Sequence, residues 1–181
     1  MRRPQGRDEV MAAVLAAATE LLAESGPQHI TVRRIAERAG VNHALAHRHF
    51  GTKEEIVRQA LRAQADAVAE DLAGHVAGQE PDIAKVMAVF ANYPTYWRSL
   101  AHVALYDPAL AEQGAAPTTT LFVDLLRRTG DDQAPVSAAV TASLMLGWLA
   151  FGDFVVTAIG ADRARTDRAV AAAVSALLGK R

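Results

Sequence analysis

Apolar residues recur at helical spacing along nearly the whole chain, and no stretch sustains an alternation of period two. The pattern predicts an all-α protein of about nine helices. The first runs from about Asp8 to Glu24, with Val10, Val14, Ala17, Ala18, Leu21 and Leu22 on one stripe and Asp8 and Glu9 at the positive end of its dipole. Ser25-Gly26-Pro27 stops it. Thr31 has the hydroxyl of a helix cap, and Val32, Ile35, Ala36 and Ala39 give the second helix one buried face. Gly40 suits a left-handed helix end, and Asn42 then caps a third helix, His43 to His49, with Val41, Ala46 and Phe50 directed inward. Thr52-Lys53-Glu54-Glu55 has the form of a capping box. The fourth helix that it opens is expected to reach Val76, about 24 residues or ~36 Å.

Past a turn predicted at Gly74–Pro81, the expected helices are Asp82–Asn92, Pro94–Tyr106 and a short piece Pro108–Gln113. Gly114 and Pro117 are expected to break the chain before Thr118–Thr129, where Leu121, Phe122, Leu125 and Leu126 face inward. Pro135–Ile159 and Thr166–Leu178 complete the set, the last with Val170, Val174, Leu177 and Leu178 on one stripe. The uncharged run Gln133–Gly152 has the length of a membrane span. Ser137, Thr141, Ser143 and Asp153, with no basic residues at its C-terminal end, fit the core helix of a soluble dimer better, and no membrane partner is expected. The expected division is an N-terminal domain at 1–52 and a larger helical domain at 53–181, linked by the fourth helix.

Helix, Gly-containing turn and helix over residues 31–50 is the signature of a helix-turn-helix, whose second helix enters the major groove of DNA. With Val41, Ala46 and Phe50 inward, the opposite face presents His43, Ala44, His47 and Arg48, with Asn42 at the head of the helix. Arg48 suits guanine or phosphate, Asn42 suits adenine or phosphate, and the two imidazoles can donate to either kind of acceptor. Leu45 either touches a thymine methyl or joins the core. His43 and His47 also stand i, i+4, as a zinc helix requires, but the sequence supplies neither the adjoining Glu nor a third ligand, so no metal is expected.

The segment IAERAGV, the short helix of His, Arg and small residues, the HF pair and GTKEE together resemble the DNA-binding domain of the TetR family of transcriptional repressors, over roughly residues 8–68. The resemblance implies that Thr31, Arg33 and Lys53 hold the DNA backbone. It also implies that the last two helices pair with those of a second subunit in a four-helix bundle. Two positions depart from the family's habit: His47 stands where a Tyr is usual, and Ala44 where a Gly is usual. Both make an operator sequence copied from a relative unsafe.

Charge changes the picture little. The net charge is −1 and divides into +2 over residues 1–60 and −3 over residues 61–181, enough for a local basic surface but not for a general nucleic-acid coat. Arg2, Arg3 and Arg7 form a basic arm that is either a solvated tail or a reach to phosphate or the minor groove. There is no Cys, so disulfide and thiol chemistry are excluded, and no apolar run follows the basic N-terminus as in a signal peptide. A cytoplasmic protein is expected. Neither a phosphate-binding Gly loop, a GxSxG turn nor a suitably spaced carboxylate pair is present, so no enzyme and no cofactor are expected.

The C-terminal part concentrates the aromatic residues. Phe90, Tyr93, Trp97, His102, Phe122, Trp148, Phe151 and Asp153 are the candidates for contacting an unidentified small-molecule effector, against the plainer reading that each aromatic is core. Asp153 either makes a structural hydrogen bond or pairs a cationic ligand. The whole reads as a homodimeric, ligand-responsive regulator that binds a palindromic operator in double-stranded DNA, most simply a repressor. The alternative is a helical scaffold whose helix-turn-helix meets a protein, which a weak salt dependence of DNA binding would reveal.

Overall fold

The structure is a computed structural model that describes residues 6–76, 83–128 and 130–178. Arg2 and Arg3 of the basic arm, the later part of the turn predicted at Gly74–Pro81, and Thr129 lie outside the described residues. Nine α-helices are described: α1 Arg7–Ser25, α2 Val32–Ala39, α3 His43–Phe50, α4 Lys53–Val76, α5 Ile83–Ala91, α6 Pro94–Tyr106, α7 Pro108–Arg128, α8 Ala134–Ile159 and α9 Arg163–Leu178. A 3₁₀ turn, Pro27–His29, follows α1, and no strand occurs among the described residues.

Three expectations are corrected. Gly114 and Pro117 do not break the chain: α7 is one continuous helix with Pro117 inside it. A proline costs a helix one backbone hydrogen bond and some crowding, and burial of Ala111, Ala115 and Phe122 along the same helix offsets that loss. The last helix begins at Arg163 instead of Thr166, because the Asp162 carboxylate caps it, accepting from the Arg165 N–H at 2.7 Å. The capping box at α4 is only half formed. Thr52 Oγ1 accepts from the Glu55 N–H at 3.2 Å, but the Glu55 carboxylate turns forward to Arg58 and Gln59.

The chain forms two compact units. The first comprises Met1–Asp66 and Arg98–Pro117. Within it α1 packs on α2 and α3, and Val14, Leu21, Leu22, Ile35, Ala46 and Phe50 are buried. The later part of α6 is tied to α1 by two hydrogen bonds to main-chain carbonyls. Ser99 Oγ donates to Thr19 O at 3.0 Å, and His102 Nδ1 to Leu22 O at 2.8 Å. Gly114 of α7 lies directly on Leu61 of α4, so close that a Cβ there would sit 2.6 Å from the Leu61 Cβ.

The second unit comprises Ala67–Trp97 and Thr118–Arg181. Here α9 packs on α8 and α5, and Val86, Phe90, Tyr96, Trp97, Phe122, Met145 and Val174 are buried. Tyr96 and Thr118 share a buried hydrogen bond of 3.1 Å between their hydroxyls. The hydroxyl of Thr141 in α8 is buried and has no hydrogen-bond partner among the described residues. A buried hydroxyl without a partner destabilises, and Val has the same branching at Cβ. Thr141→Val is therefore expected to stabilise the fold by about 1 kcal/mol, seen as a rise in Tm of roughly 2–4 °C. A lower Tm would show that the hydroxyl is satisfied.

Candidate nucleic-acid interface

The turn between α2 and α3 is built by local chemistry. Thr31 Oγ1 accepts from the Arg34 N–H at 3.2 Å and starts α2. Gly40 ends it at φ 67° and ψ 26°, in the left-handed region, while the Val41 N–H reaches back to Ala36 O at 3.0 Å. Asn42 Oδ1 then accepts from the Ala44 N–H at 2.7 Å, capping α3. Ala46 and Phe50 are buried, and Val41 and Leu45 partly so, which fixes the rotation of α3 about its axis. Asn42, His43, Ala44, His47 and Arg48 are left exposed.

The predicted DNA-facing residues differ in how free they are. The centroids of the His43 and His47 rings lie 6.3 Å apart, one helical turn from each other. Among the described residues, neither these rings nor Arg48 makes an ion pair or a side-chain hydrogen bond. Thr31 and Arg33 are exposed, and Arg33 Nε pairs with Glu37 Oε1 at 2.9 Å. Lys53 is more occupied: its Nζ donates to Pro27 O at 3.2 Å, lies 3.7 Å from Glu54 and stands 5.9 Å from the Tyr106 ring centroid.

Sequence reasoning missed the part played by Arg38. Its guanidinium reaches Glu20 at 3.1 Å and Glu24 at 2.8 Å, joining α2 to α1 behind the turn. The hydrogen bond from Arg38 holds the Glu24 carboxyl below the usual carboxylate range. The signal was present, since Glu20 and Glu24 stand i, i+4 on one face of α1.

The eight effector candidates differ in burial and in the partners they hold. Phe90, Trp97 and Phe122 are buried, and Trp97 Nε1 donates to Phe90 O at 2.7 Å with the two rings 4.8 Å apart. The Tyr93 hydroxyl donates to Asp71 at 3.2 Å; burial first, then the Asp71 charge, raises its pKa. Trp148 Nε1 donates to Asp167 at 2.8 Å, and Arg163 covers its ring at 4.8 Å. They border a groove of about 330 Å³ that Ala88, Ala91 and Leu149 also line. Asp153 is exposed and pairs with the same Arg163. His102 belongs to the first unit, on the Leu22 carbonyl. Phe151 is 54% exposed and falls in a stripe of bare apolar side chains on α8, with Val136, Val140, Phe154, Val155 and Ile159. By length and composition α8 is also apolar enough to cross a membrane.

Residues 14–60 match the family model described as bacterial regulatory proteins, tetR family. Over 171 residues the chain is 35% identical to an HTH-type transcriptional repressor of Mycobacterium tuberculosis, covering 92% of this chain and 86% of that one. The fold is similar to that of the fatty acid degradation regulator FadR from Bacillus halodurans, with a TM-score of 0.73 at 13% identity over 94% of this chain and 98% of that chain. It is similar also to a TetR-family transcriptional regulator from Rhodococcus sp., with a TM-score of 0.72 at 18% identity over 94% of this chain and 99% of the other. At such identities the two structures speak for the fold alone.

Proposed function

The chain belongs to the TetR family of DNA-binding transcriptional regulators, and from that premise we propose that it acts as a homodimeric repressor released from a palindromic operator by a small molecule. The observation that carries the reading is the bare outer face of α3. Its inner residues Ala46 and Phe50 are buried, so Asn42, His43, Ala44, His47 and Arg48 present to the groove without disturbing the core. Leu45, half-buried, contributes its edge. Thr31, Arg33 and Lys53 hold phosphates on either side, Arg33 and Lys53 exchanging their present partners for the backbone of the operator. Residues 1–52 carry this task and 53–181 the sensing and pairing, with the unbroken helix α4 as the link.

The second copy is supported by the apolar stripe on α8. Its position along one side of the helix suits an isologous contact, in which each subunit offers the same surface. Pairing of α8 and α9 with their counterparts covers it and makes membrane insertion unnecessary. The regulator then works in the cytoplasm, where its DNA is. Sensing is supported by the buried aromatic side chains Phe90, Trp97 and Phe122, the first two in ring contact, and by the groove at Trp148. To weaken operator binding 100-fold, an effector must prefer the released state by about 2.7 kcal/mol. The scaffold reading gains no support from the relatives, which are transcriptional regulators.

The test is Arg48→Ala in binding assays with an operator selected from fragments of the protein's own genome. Removing one bidentate hydrogen-bond pair to a base in each half-site is expected to cost about 2 kcal/mol twice, roughly a 1,000-fold rise in Kd. Lys53→Ala is expected to weaken binding to all sequences alike and to flatten the salt dependence. Unchanged binding by Arg48→Ala would remove α3 from the groove.

A further inference from the structure

We propose that His43 and His47 make operator binding proton-linked, so that the regulator holds DNA more tightly as the pH falls from 8 to 6. The inference rests on the reading that α3 lies in the groove and adds the regulation of that site. Both imidazoles are exposed on the outer face of α3, one turn apart, with Arg48 next to the second. Imidazole is the side chain whose charge changes in this pH interval, and an imidazolium donates from both nitrogens to an anion.

The charged groups of the neighbouring helices decide the sign. On α2, Arg33 is paired with Glu37, Arg34 donates to His29 O, and Arg38 is paired with Glu20 and Glu24 of α1. On α4, Lys53 is near Glu54, and Glu55 is paired with Arg58. His49, partly buried, and Arg48 are the other basic side chains of α3. Among the described residues no carboxylate stands within ion-pairing distance of His43 or His47, so the anion that rewards their protonation is the DNA phosphate. The complex therefore binds more protons than the free protein does. Its affinity rises as pH falls through the imidazole range and levels off below it. Two cations 6.3 Å apart beside an Arg repel one another, so the expected uptake is about one proton per half-site instead of two.

The experiment measures Kd for the selected operator at pH 6 and pH 8, each over a series of salt concentrations, with the full-length protein. Wild type is expected to bind roughly ten- to a hundred-fold tighter at pH 6. Its log–log salt slope is expected to steepen there by about 2, close to one released counterion for each added charge in a dimer. His43→Gln/His47→Gln, which keeps a neutral donor at each position, is expected to lose both changes. If that double variant no longer binds, each single substitution is expected to shrink the pH effect. Wild type that binds the operator equally at both pH values, or more weakly at pH 6, overturns the proposal while leaving α3 in the groove. A pH effect that survives both substitutions also overturns it. Failure to bind any genomic fragment at either pH sinks the underlying reading instead.

Discussion

Phe154→Glu is expected to turn the protein into a monomer that no longer holds its operator. In the single chain Phe154 is 72% exposed, and it shares the α8 stripe with Val136, Val140, Phe151, Val155 and Ile159. In an isologous contact the substitution strikes twice, once on each copy. Each strike removes a large aromatic anchor and brings a carboxylate into an apolar seam. An anchor of that kind is worth about 2 kcal/mol or more, and an unpaired charge adds to the loss. Together they predict a rise of roughly 1,000-fold or more in the dimer dissociation constant. Sedimentation velocity in detergent-free buffer reads the mass directly. The far-UV circular dichroism should not change, because Phe154 supports little of its own chain's core. A variant that stays dimeric would place the subunit interface somewhere other than the α8 stripe.

The second large effect is expected at Gly114. A methyl group there would stand 2.6 Å from the Leu61 Cβ and 3.0 Å from its Cδ1, closer than carbon atoms tolerate. Leu61 is 1% exposed and has little room to yield. In an open helix Gly→Ala would stabilise by about 1 kcal/mol; here overpacking, about 1–3 kcal/mol for small groups, reverses the sign. Gly114→Val adds branching to the same clash and is expected to cost about 3 kcal/mol or more, lowering Tm by roughly 6–12 °C. Leu61→Ala opens the facing space, so the double variant Leu61→Ala/Gly114→Val should be more stable than the sum of the single effects implies. Strict additivity in thermal or urea unfolding would mean that the two positions do not meet.

These two positions mark the limits of what the chain discloses on reading. The helix-turn-helix is legible because each of its decisions is local: Thr31 and Asn42 cap, Gly40 turns, and Ala46 and Phe50 repeat at helical spacing. The half-formed capping box at Thr52 and the early start of α9 at Asp162 are not, since several nearby groups compete for one carboxylate or one N–H. Gly114 and Pro117 read as a break because local propensity argues for one. Only the packing of Gly114 on Leu61, more than fifty positions away in sequence, explains a glycine in mid-helix. The effector candidates are the least legible. Aromatic content at helical spacing cannot separate Phe90, which is buried, from Phe151, which is not, because that depends on which neighbour each helix face meets. The roles of Ser99 and His102 on the carbonyls of α1 are equally out of reach, for their partners lie about eighty residues earlier.

Helix α3 has only eight residues, too few to hold a helix alone in water, and is kept in shape by its Asn42 cap and its Phe50 anchor. The positions that do the keeping and the positions that face outward are different ones. Substitutions at 43, 44, 47 and 48 therefore leave the scaffold's stability nearly untouched. With α3 in the groove as proposed, a lineage can rewrite the recognised address through those four codons, one at a time, without passing through an unfolded ancestor.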